Sequence, residues 1–353
     1  MVRKPCPDNP PCPRCGATHV VKNGSKNGRQ RWVCRTCNRS FGATFGTPMY
    51  RLRNTPTEVA RTLLVVMRRG SLSAAEDITG HKHETIGRWL RAAALHAEQI
   101  TEALVRDLHL TVVEVDAFWS FVKKKSAQPS DAPAATGPRW GCLSVDRATR
   151  FVVAWAFAGS EDAAAPQVVA QTRRRTAGQA GVSWVSDGRS VYRQEVKRVY
   201  RDAQRSGKRG RPRLVPTAGV GLTQAVKRRC RGRVVGVAVR CVLGSPIECP
   251  YVVHGERLNG VLRDRLNCLT RKTHAFAKRV CLWDAAVVLC VFERNWLRSH
   301  RCLRERAEDC LSGRRYRRRS PAMAIGLTDH IWSWEEFLTY RHHHYSKGVT
   351  TAD

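Results

Sequence analysis

The stretch LTVVEVDAFWSFVKKK, residues 110–125, decides how the rest of the chain is interpreted. Its density of valine, followed by Phe and Trp, predicts a largely buried strand. Glu114 and Asp116 lie two residues apart near the end of the apolar run, so on a strand they share one face. A buried carboxylate is costly unless it is paired or binds a metal ion. Two interpretations follow: one carboxylate caps a turn and the other pairs with a lysine of 123–125, or the strand ends in a metal-binding carboxylate.

The charge of the whole chain indicates a polyanionic partner. Of its 353 residues, 62 are Lys or Arg and 29 are Asp or Glu, which gives a net charge of +33. Such an excess favours phosphate backbones as the partner, the alternative being an Arg-rich protein without a specific one. We find no apolar run of transmembrane length and no resemblance to a signal peptide in the first ten residues. Most of the fourteen cysteines are scattered through apparent helices and strands, so we expect a reduced, cytoplasmic protein.

Four cysteines near the N-terminus have the spacing of a structural zinc site. Cys12 and Cys15 form one Cys-x2-Cys pair, Cys34 and Cys37 form a second, and 18 residues separate the two pairs. This spacing matches a zinc ribbon, in which four thiolates hold one zinc ion in a closed tetrahedron. Metal binding replaces the core that so short a segment lacks. The basic residues between the pairs form either a DNA-facing surface or an ordinary solvated face, and they include Lys22, Arg29 and Arg31.

A helical region follows the cysteine pairs. The apolar spacing predicts a helix over 57–67, a short helix over 71–78, a turn at Gly80 and a longer helix from His83, with Ile78 and Leu95 facing the core. This order is typical of a helix-turn-helix, although any three-helix bundle has the same rhythm. Because a zinc ribbon precedes it in a strongly basic chain, we favour a DNA-binding helix-turn-helix. The start of its recognition helix would present Lys82, Thr85 and Arg88.

The remainder of the chain alternates predicted strands and helices. Strands are predicted over 140–145, 151–157 and 182–186, a helix over 161–176, and another helix from Ser190. Together with the strand at 110–125, this is the order of an RNase H-like fold, in which the first and fourth strands are neighbours. Asp116 and Asp187 could therefore face each other, although Asp187 alone could equally be a helix cap. A further strand is expected over 233–243 and a helix over 256–278. We expect a multidomain α+β protein whose α/β RNase H-like domain has a mixed five-stranded sheet.

Three segments resemble the catalytic blocks of transposases of the insertion sequence one family. The first block is residues 114–116 with 119–122, the second is 186–188 followed by Tyr192, and the third is 256–263 followed by 269–273 and 276–278. The blocks occur in the family's order. With the zinc ribbon and the helix-turn-helix, the resemblance covers most of residues 12–300. The chain differs from the family pattern at Ala117 and Ala277.

The resemblance implies a DDE transposase that binds insertion-sequence ends and catalyses metal-dependent DNA cleavage and strand transfer. Its catalytic carboxylates would be Asp116, Asp187 and Glu256, which would hold two Mg²⁺ or Mn²⁺ ions, while one Zn²⁺ is structural. The implied partners are double-stranded DNA, as transposon ends and as target, and further copies of the chain in a homodimer or higher oligomer, with no membrane; the protein would associate with the nucleoid. A polar helix face would hold phosphates through Asn259, Arg263, Arg271 and Lys272.

Two other functions stay open at this point. One is a catalytically inactive DNA-binding repressor, and the other is an RNase H-like nuclease without strand transfer; the presence of all three carboxylates favours the active transposase. The predicted domains are the zinc ribbon at 1–48, the helix-turn-helix at 49–108, the catalytic domain at 109–300 with an insertion at about 205–250, and a basic C-terminal tail and helix at 301–353.

Overall fold

The structure is a computed structural model that describes residues 9–26, 28–125, 136–177, 179, 181–205, 210–306 and 315–341. Much of the predicted C-terminal tail, at 307–314 and 342–353, lies outside the described residues. So does residue 27, between two of the basic residues predicted to face DNA.

The N-terminal segment forms a small antiparallel sheet. Its strands are β1 (Val20–Lys26), β2 (Arg29–Cys34) and β3 (Ser40–Gly42), in that order. Two of the cysteines are buried in one small cluster with Val20 and Phe41. Such a core is too small to stabilise the segment by burial alone.

Three helices follow, and local sequence sets their ends. They are α1 (Pro56–Val66), α2 (Leu72–Thr79) and α3 (His83–Leu104). Thr55 and Glu58 form a capping box at the start of α1, and the Ser71 hydroxyl caps α2. Gly80 ends α2 with φ of 73°, a left-handed conformation that favours glycine.

Two core predictions in this region are wrong. Ile78 is 69% exposed and Leu95 is 56% exposed. Helix α2 has eight residues, of which only Ala75 is fully buried, so its last turn, which carries Ile78, contributes little to the core. On α3, the neighbouring alanines 93, 94 and 97 are buried and Leu95 lies on the opposite side of the helix.

A mixed sheet forms the centre of the molecule. The elements in this part of the chain are β4 (Val112–Val122), β5 (Gly137–Asp146), β6 (Val152–Ala158), α4 (Glu161–Arg175), β7 (Ser183–Asp187), α5 (Ser190–Val199), β8 (Arg201–Gln204), β9 (Arg213–Pro216), β10 (Gly221–Cys230) and β11 (Arg233–Leu243). Strands β8 and β9 form a separate hairpin, and the central sheet has the order β11-β10-β7-β4-β5-β6. Strand β7 is parallel to β4 and to β10, and the other pairs are antiparallel. The prediction that the first and fourth strands are neighbours is confirmed.

The prediction of a five-stranded sheet is wrong, because the sheet has six strands. The strand missed by the sequence pattern is β10, which lies between β7 and β11. Its buried half contains Thr223 and Gln224 and its exposed half is basic, so it lacks the alternation that identifies a strand. Gln224 is buried because its amide donates to the carbonyl oxygens of Asp187 and Arg189, at 2.8 and 3.0 Å.

The C-terminal elements complete the core. They are α6 (Val253–Arg265), α7 (Val280–Phe292), β12 (Glu305–Arg306), β13 (Tyr316–Arg317), α8 (Pro321–Ala324) and α9 (Trp334–Thr339). Helix α7 is apolar on nearly all sides and packs against α3, so the three N-terminal helices share one hydrophobic core with the sheet.

The helix predicted over 256–278 is wrong in its second half, because α6 ends at Arg265. The Arg265 carbonyl accepts a hydrogen bond of 2.9 Å from the backbone of Arg69, and Leu266 is extended. The next residue, Asn267, donates its side-chain amide to the carbonyl of Arg69. The Arg265 carbonyl is thus bound to the loop after α1 at the point where the helix ends.

Candidate metal centre and carboxylate site

The four predicted zinc ligands lie together. The sulfur atoms of Cys12 and Cys37 are 3.7 Å apart, those of Cys15 and Cys34 are 3.5 Å apart, and all four lie within 4.8 Å of one another. Sulfurs around a tetrahedral zinc ion with 2.3 Å bonds lie roughly 3.8 Å apart. The donor set and its spacing therefore fit one metal ion, and the cluster could bind zinc.

The chemical state of Cys34 also suits a metal ligand. Burial disfavours its thiolate, but the backbone N–H of Cys37 and the thiol of Cys15 outweigh burial and lower the pKa of Cys34 to about 6. The thiolate is the form that binds metal ions. In the same metal-free cluster, burial and neighbouring thiols raise the pKa of Cys15 and of Cys37, so a metal ion would displace the protons of those two thiols on binding.

A second group of titratable side chains lies where β4 and β7 run side by side. Val115 pairs with Ser186 in the parallel ladder, so Asp116 and Asp187 occupy the next position on the two strands. In-register residues on neighbouring strands project from the same face of a sheet. The strand pairing thus brings these two carboxylates, 71 residues apart in sequence, to one place.

Helix α6 lies across this position. A Cβ atom at Gly255 would be 2.9 Å from the Cβ of Asp116, so the helix can approach the strand this closely only with glycine there. The next residue, Glu256, is half exposed. Its Oε1 atom forms an ion pair with the Nζ atom of Lys227 on β10, at a distance of 2.6 Å. Among the described residues, the cysteine cluster is the one compact group of potential ligands. The side chains of Asp116, Asp187 and Glu256 are neighbours, but their oxygen atoms do not form a compact group of ligands.

Glu114 caps a helix instead of a turn, and its ion-pair partner is Arg147 instead of a lysine of 123–125. Its side chain is 1% exposed, and it accepts hydrogen bonds from the backbone N–H groups of His254 and Gly255 at 2.7 and 3.0 Å. Arg147 donates to its other oxygen at 3.0 Å and also to the carbonyls of Glu248 and Tyr251. Glu114 therefore caps the N-terminus of α6, where a negative charge is favoured, and fixes the helix against β4.

Burial and neighbouring charge disfavour ionised carboxylates at this site. Burial, together with the nearby Asp187 and Glu256, raises the pKa of Asp116 to about 7. Burial also raises the pKa of Asp187, although the backbone N–H of Arg189 donates to this carboxylate at 3.0 Å and the charge of Lys227 opposes the shift. A divalent cation would remove this penalty by stabilising both carboxylates as anions.

Sequence reasoning missed a fourth carboxylate beside the site. Glu161 entered the prediction only as the first residue of the helix over 161–176, yet it is 7% exposed and accepts a 2.8 Å hydrogen bond from the hydroxyl of Tyr192. Burial and the charge of Asp187 raise its pKa, and its own charge acts on Asp116. Tyr192 belongs to the second segment that resembles a catalytic block. Its place in that segment was the one sequence signal that could have drawn attention to Glu161.

The four predicted phosphate ligands are spread over two segments. Asn259 is 4% exposed and donates from Nδ2 to the Oδ2 of Asp116 at 2.7 Å. Burial lowers the pKa of Arg263, as does the charge of Arg271, while Asp116 raises it, so these three side chains share one neighbourhood. Arg271 and Lys272 are exposed and lie in the turn after α6, which corrects their placement on the helix face.

The predicted DNA-contacting residues of the N-terminal half lie on accessible surfaces. Lys82 and Arg88 are exposed at the start of α3, and Arg88 donates to the hydroxyl of Thr85 at 3.1 Å. Lys22 on β1 and Arg29 on β2 are exposed, and Arg31 is half-buried. Their role in DNA binding stays a prediction.

Comparisons with known proteins add few constraints. No family model and no curated protein matches the sequence. Solved structures that align with it include a Mos1 transposase paired-end complex with left transposon end, at 13% identity over 41% of this chain and 56% of that one, with a TM-score of 0.17. A Mos1 mariner paired-end complex with Mn has 12% identity over 41% and 57%, with a TM-score of 0.17, and a pre-cleavage Mos1 transpososome has 14% identity over 40% and 54%, with a TM-score of 0.16. The chain spans just over half of those chains, and scores this low carry no argument.

None of the helices in the described part of the chain combines the length and the apolar character needed to span a bilayer.

Proposed function

We propose that this chain is a DDE-type DNA transposase with an RNase H-like catalytic domain. It would bind insertion-sequence ends and catalyse metal-dependent strand cleavage and strand transfer. One observation carries the proposal: Asp116 and Asp187 occupy matching positions on adjacent parallel strands, and the helix bearing Glu256 packs against Asp116 through Gly255. Three carboxylates from distant parts of the sequence are thus neighbours in a strongly basic protein, with Asp116 in the middle of β4, Asp187 at the end of β7 and Glu256 on α6.

The residues at the site fit Mg²⁺ or Mn²⁺. All the available donors are oxygens, the ligand type that these ions prefer. The Oδ1 atom of Asn259 is buried beside Asp116 without a hydrogen-bond partner among the described residues, so a further oxygen donor lies at the site. Asp116, Asp187 and Glu256 would hold the two ions, and Glu256 would have to leave its ion pair with Lys227 to do so. Bound ions would stabilise the negative charge that develops on the attacking and leaving oxygens of phosphoryl transfer.

The protein's own groups would hold and orient the DNA. Asn259 fixes the rotamer of Asp116 through its 2.7 Å hydrogen bond, and Glu114 fixes the start of the helix that carries Glu256. Arg263 and Arg271, whose charges act on each other near Asp116, would bind DNA phosphates. Water would cleave one strand at the transposon end, and the freed 3′-hydroxyl would then attack a target phosphodiester. Positioning and electrostatics supply most of the catalysis in such reactions.

End recognition is assigned to the N-terminal half. Zinc held by the cysteine cluster would stabilise the ribbon, whose basic residues would contact phosphates. The exposed start of α3, at Lys82, Thr85 and Arg88, would enter the major groove. Assembly of two or more copies on paired DNA ends would complete the reaction, because strand transfer joins two ends to one target.

The Lys227–Glu256 ion pair favours one alternative. A lysine that neutralises the third carboxylate would suit an inactive DNA-binding repressor. A nuclease without strand transfer is the other alternative.

A cleavage and joining assay distinguishes these functions. It uses the purified protein and a supercoiled plasmid that carries the DNA flanking the gene. The transposase predicts Mg²⁺-dependent nicks at the element ends and joined products, and Asp116→Asn, Asp187→Asn and Glu256→Gln should each lose both activities while retaining end binding. Nicks without joined products would indicate a nuclease. End binding with no cleavage by the wild-type protein would indicate a repressor.

A further inference from the structure

The hairpin formed by β10 and β11 extends beyond the part of the sheet that packs against helices. Residues 221–225 of β10 are buried, whereas every residue from Lys227 to Val235 is exposed. Arg231 and Gly232, with φ of 47° and 80°, form the tight two-residue turn that such a hairpin requires. The outer half of the ribbon is therefore well defined by its backbone but has no packing function.

The projecting half is strongly basic. Residues 227–233 read KRRCRGR, five cations in seven residues without a carboxylate. Within the described part of the chain, no acidic group lies within ion-pair distance of Arg228, Arg229, Arg231 or Arg233, and only Lys227 is paired, with Glu256. Four cations held close together repel one another, and an external anion would relieve that repulsion.

Exposed aliphatic side chains adjoin the cations. Val234 is 48% exposed, Val235 is 65% exposed and Val237 is 40% exposed. Pairing with β11 of a second copy would bury these valines, but it would also bring two sets of four unneutralised cations together. Duplex DNA satisfies both features, because arginines contact phosphates while valines contact sugars and thymine methyl groups.

We propose that the ribbon tip, defined as residues 227–235, is a DNA-binding arm that inserts into a groove of the duplex held at the carboxylate site. This inference rests on the proposed function for its choice of ligand. A major groove admits a two-stranded ribbon of this kind. The tip at Cys230 lies three residues beyond Lys227, about 10 Å along the ribbon. At about 3.4 Å per base pair, the arm contacts DNA within roughly three base pairs of the phosphate at the carboxylates.

A cysteine of the tip provides a direct test with the natural sequence. Cys230 and Cys241 are both exposed on this hairpin, at its tip and near its base. Maleimide labelling of the full-length protein, followed by peptide mass spectrometry, gives the rate at each thiol with and without a 30-base-pair duplex from the element end. We expect duplex DNA to slow labelling of Cys230 at least tenfold and of Cys241 less than twofold. Equal rates at Cys230 with and without DNA would overturn the proposal, and so would equal protection by polyglutamate.

Charge removal provides a second, independent readout. Replacing Arg228, Arg229, Arg231 and Arg233 by Gln should make the plot of log affinity against log salt concentration shallower by about 3 to 4, since each phosphate contact contributes about 0.9. A control variant loses the same charge at four exposed positions elsewhere: Arg106, Lys197, Arg201 and Arg301. A slope reduction no larger in the tip variant than in the control would refute the arm.

Both experiments measure DNA binding and do not require cleavage. The DNA-binding arm can therefore be rejected without rejecting the transposase, and the transposase without rejecting the arm. Protection of Cys230 in a protein that never cleaves DNA would retain the arm and reject the transposase. Cleavage by a protein whose Cys230 stays unprotected would reject the arm alone.

Discussion

Asp116→Asn should stabilise the metal-free protein, and the gain should grow with pH. Burial and the charges of Asp187 and Glu256 raise the pKa of Asp116 from 3.8 to about 7. An acid whose pKa is raised on folding binds its proton more tightly in the native state. Deprotonation of Asp116 therefore lowers the free energy of unfolding of the wild-type protein. This loss of stability begins as the pH rises past 3.8 and is complete above pH 7. Asparagine carries no charge at any of these pH values and keeps an oxygen that can accept from Asn259.

The size of the effect follows from the shift. A rise from 3.8 to about 7 is close to three pKa units, and each unit corresponds to about 1.4 kcal/mol, so the gain at pH 8 is at most about 4 kcal/mol. At pH 4 the carboxyl is largely protonated in the native state, and the gain approaches zero. A saturating divalent cation should reverse the order at pH 8, because it binds the wild-type carboxylates and loses a ligand in the variant.

Thermal unfolding of both proteins between pH 4 and pH 8, without and with 10 mM Mg²⁺, measures the effect. Asp264→Asn is the matched control, because Asp264 is an exposed carboxylate on α6, the helix that packs on Asp116. We expect the midpoint of Asp116→Asn to exceed that of the wild type increasingly with pH, and the control to show no such trend. A constant difference between Asp116→Asn and the wild type over this range would refute the argument from burial.

Three further predictions concern the supporting structure. Cys15→Ser should release the metal and expose residues 12–37 to proteolysis while the catalytic domain stays folded, and intact protein containing no zinc by elemental analysis would contradict the assignment. Arg88→Ala should reduce discrimination between end DNA and random DNA by about 1–3 kcal/mol in competition binding, whereas equal loss on both DNAs would make Arg88 a phosphate contact. Glu114→Gln should lower the unfolding free energy by about 3 kcal/mol, because Arg147 loses its buried partner, and should reduce Mg²⁺-dependent cleavage more than DNA binding. A variant with wild-type stability would show that α6 does not depend on this cap.

Local patterns in the sequence were sufficient for much of the architecture. The Cys-x2-Cys pairs identified a cluster whose sulfurs lie within 4.8 Å of one another, because tight turns fix ligand positions over a few residues. The strand that begins at Val112 and the hairpin that follows it were predictable, because uninterrupted apolar runs specify buried strands. The neighbouring positions of Asp116 and Asp187 followed from strand order.

What the sequence did not reveal depends on long-range contacts. Strand β10 escaped prediction because Gln224 is buried to hold the backbone around Asp187, a role that only the folded sheet creates. Glu114 resembled a metal ligand as much as Asp116 did, and its hydrogen bonds to a helix start 140 residues later decide its role. The end of α6 at Arg265 depends on a contact with Arg69, and no local signal marks it.

Binding of Mn²⁺ to the carboxylates tests the central claim most directly. Electron paramagnetic resonance of Mn²⁺ titrated into the zinc-loaded protein counts bound ions without requiring the DNA ends. We predict that Asp116→Asn, Asp187→Asn and Glu256→Gln each weaken this binding at least tenfold, and that Glu248→Gln, an exposed carboxylate in the loop before α6, does not. Unchanged Mn²⁺ binding in Glu256→Gln would show that Glu256 stays with Lys227 and that the three carboxylates do not form one site.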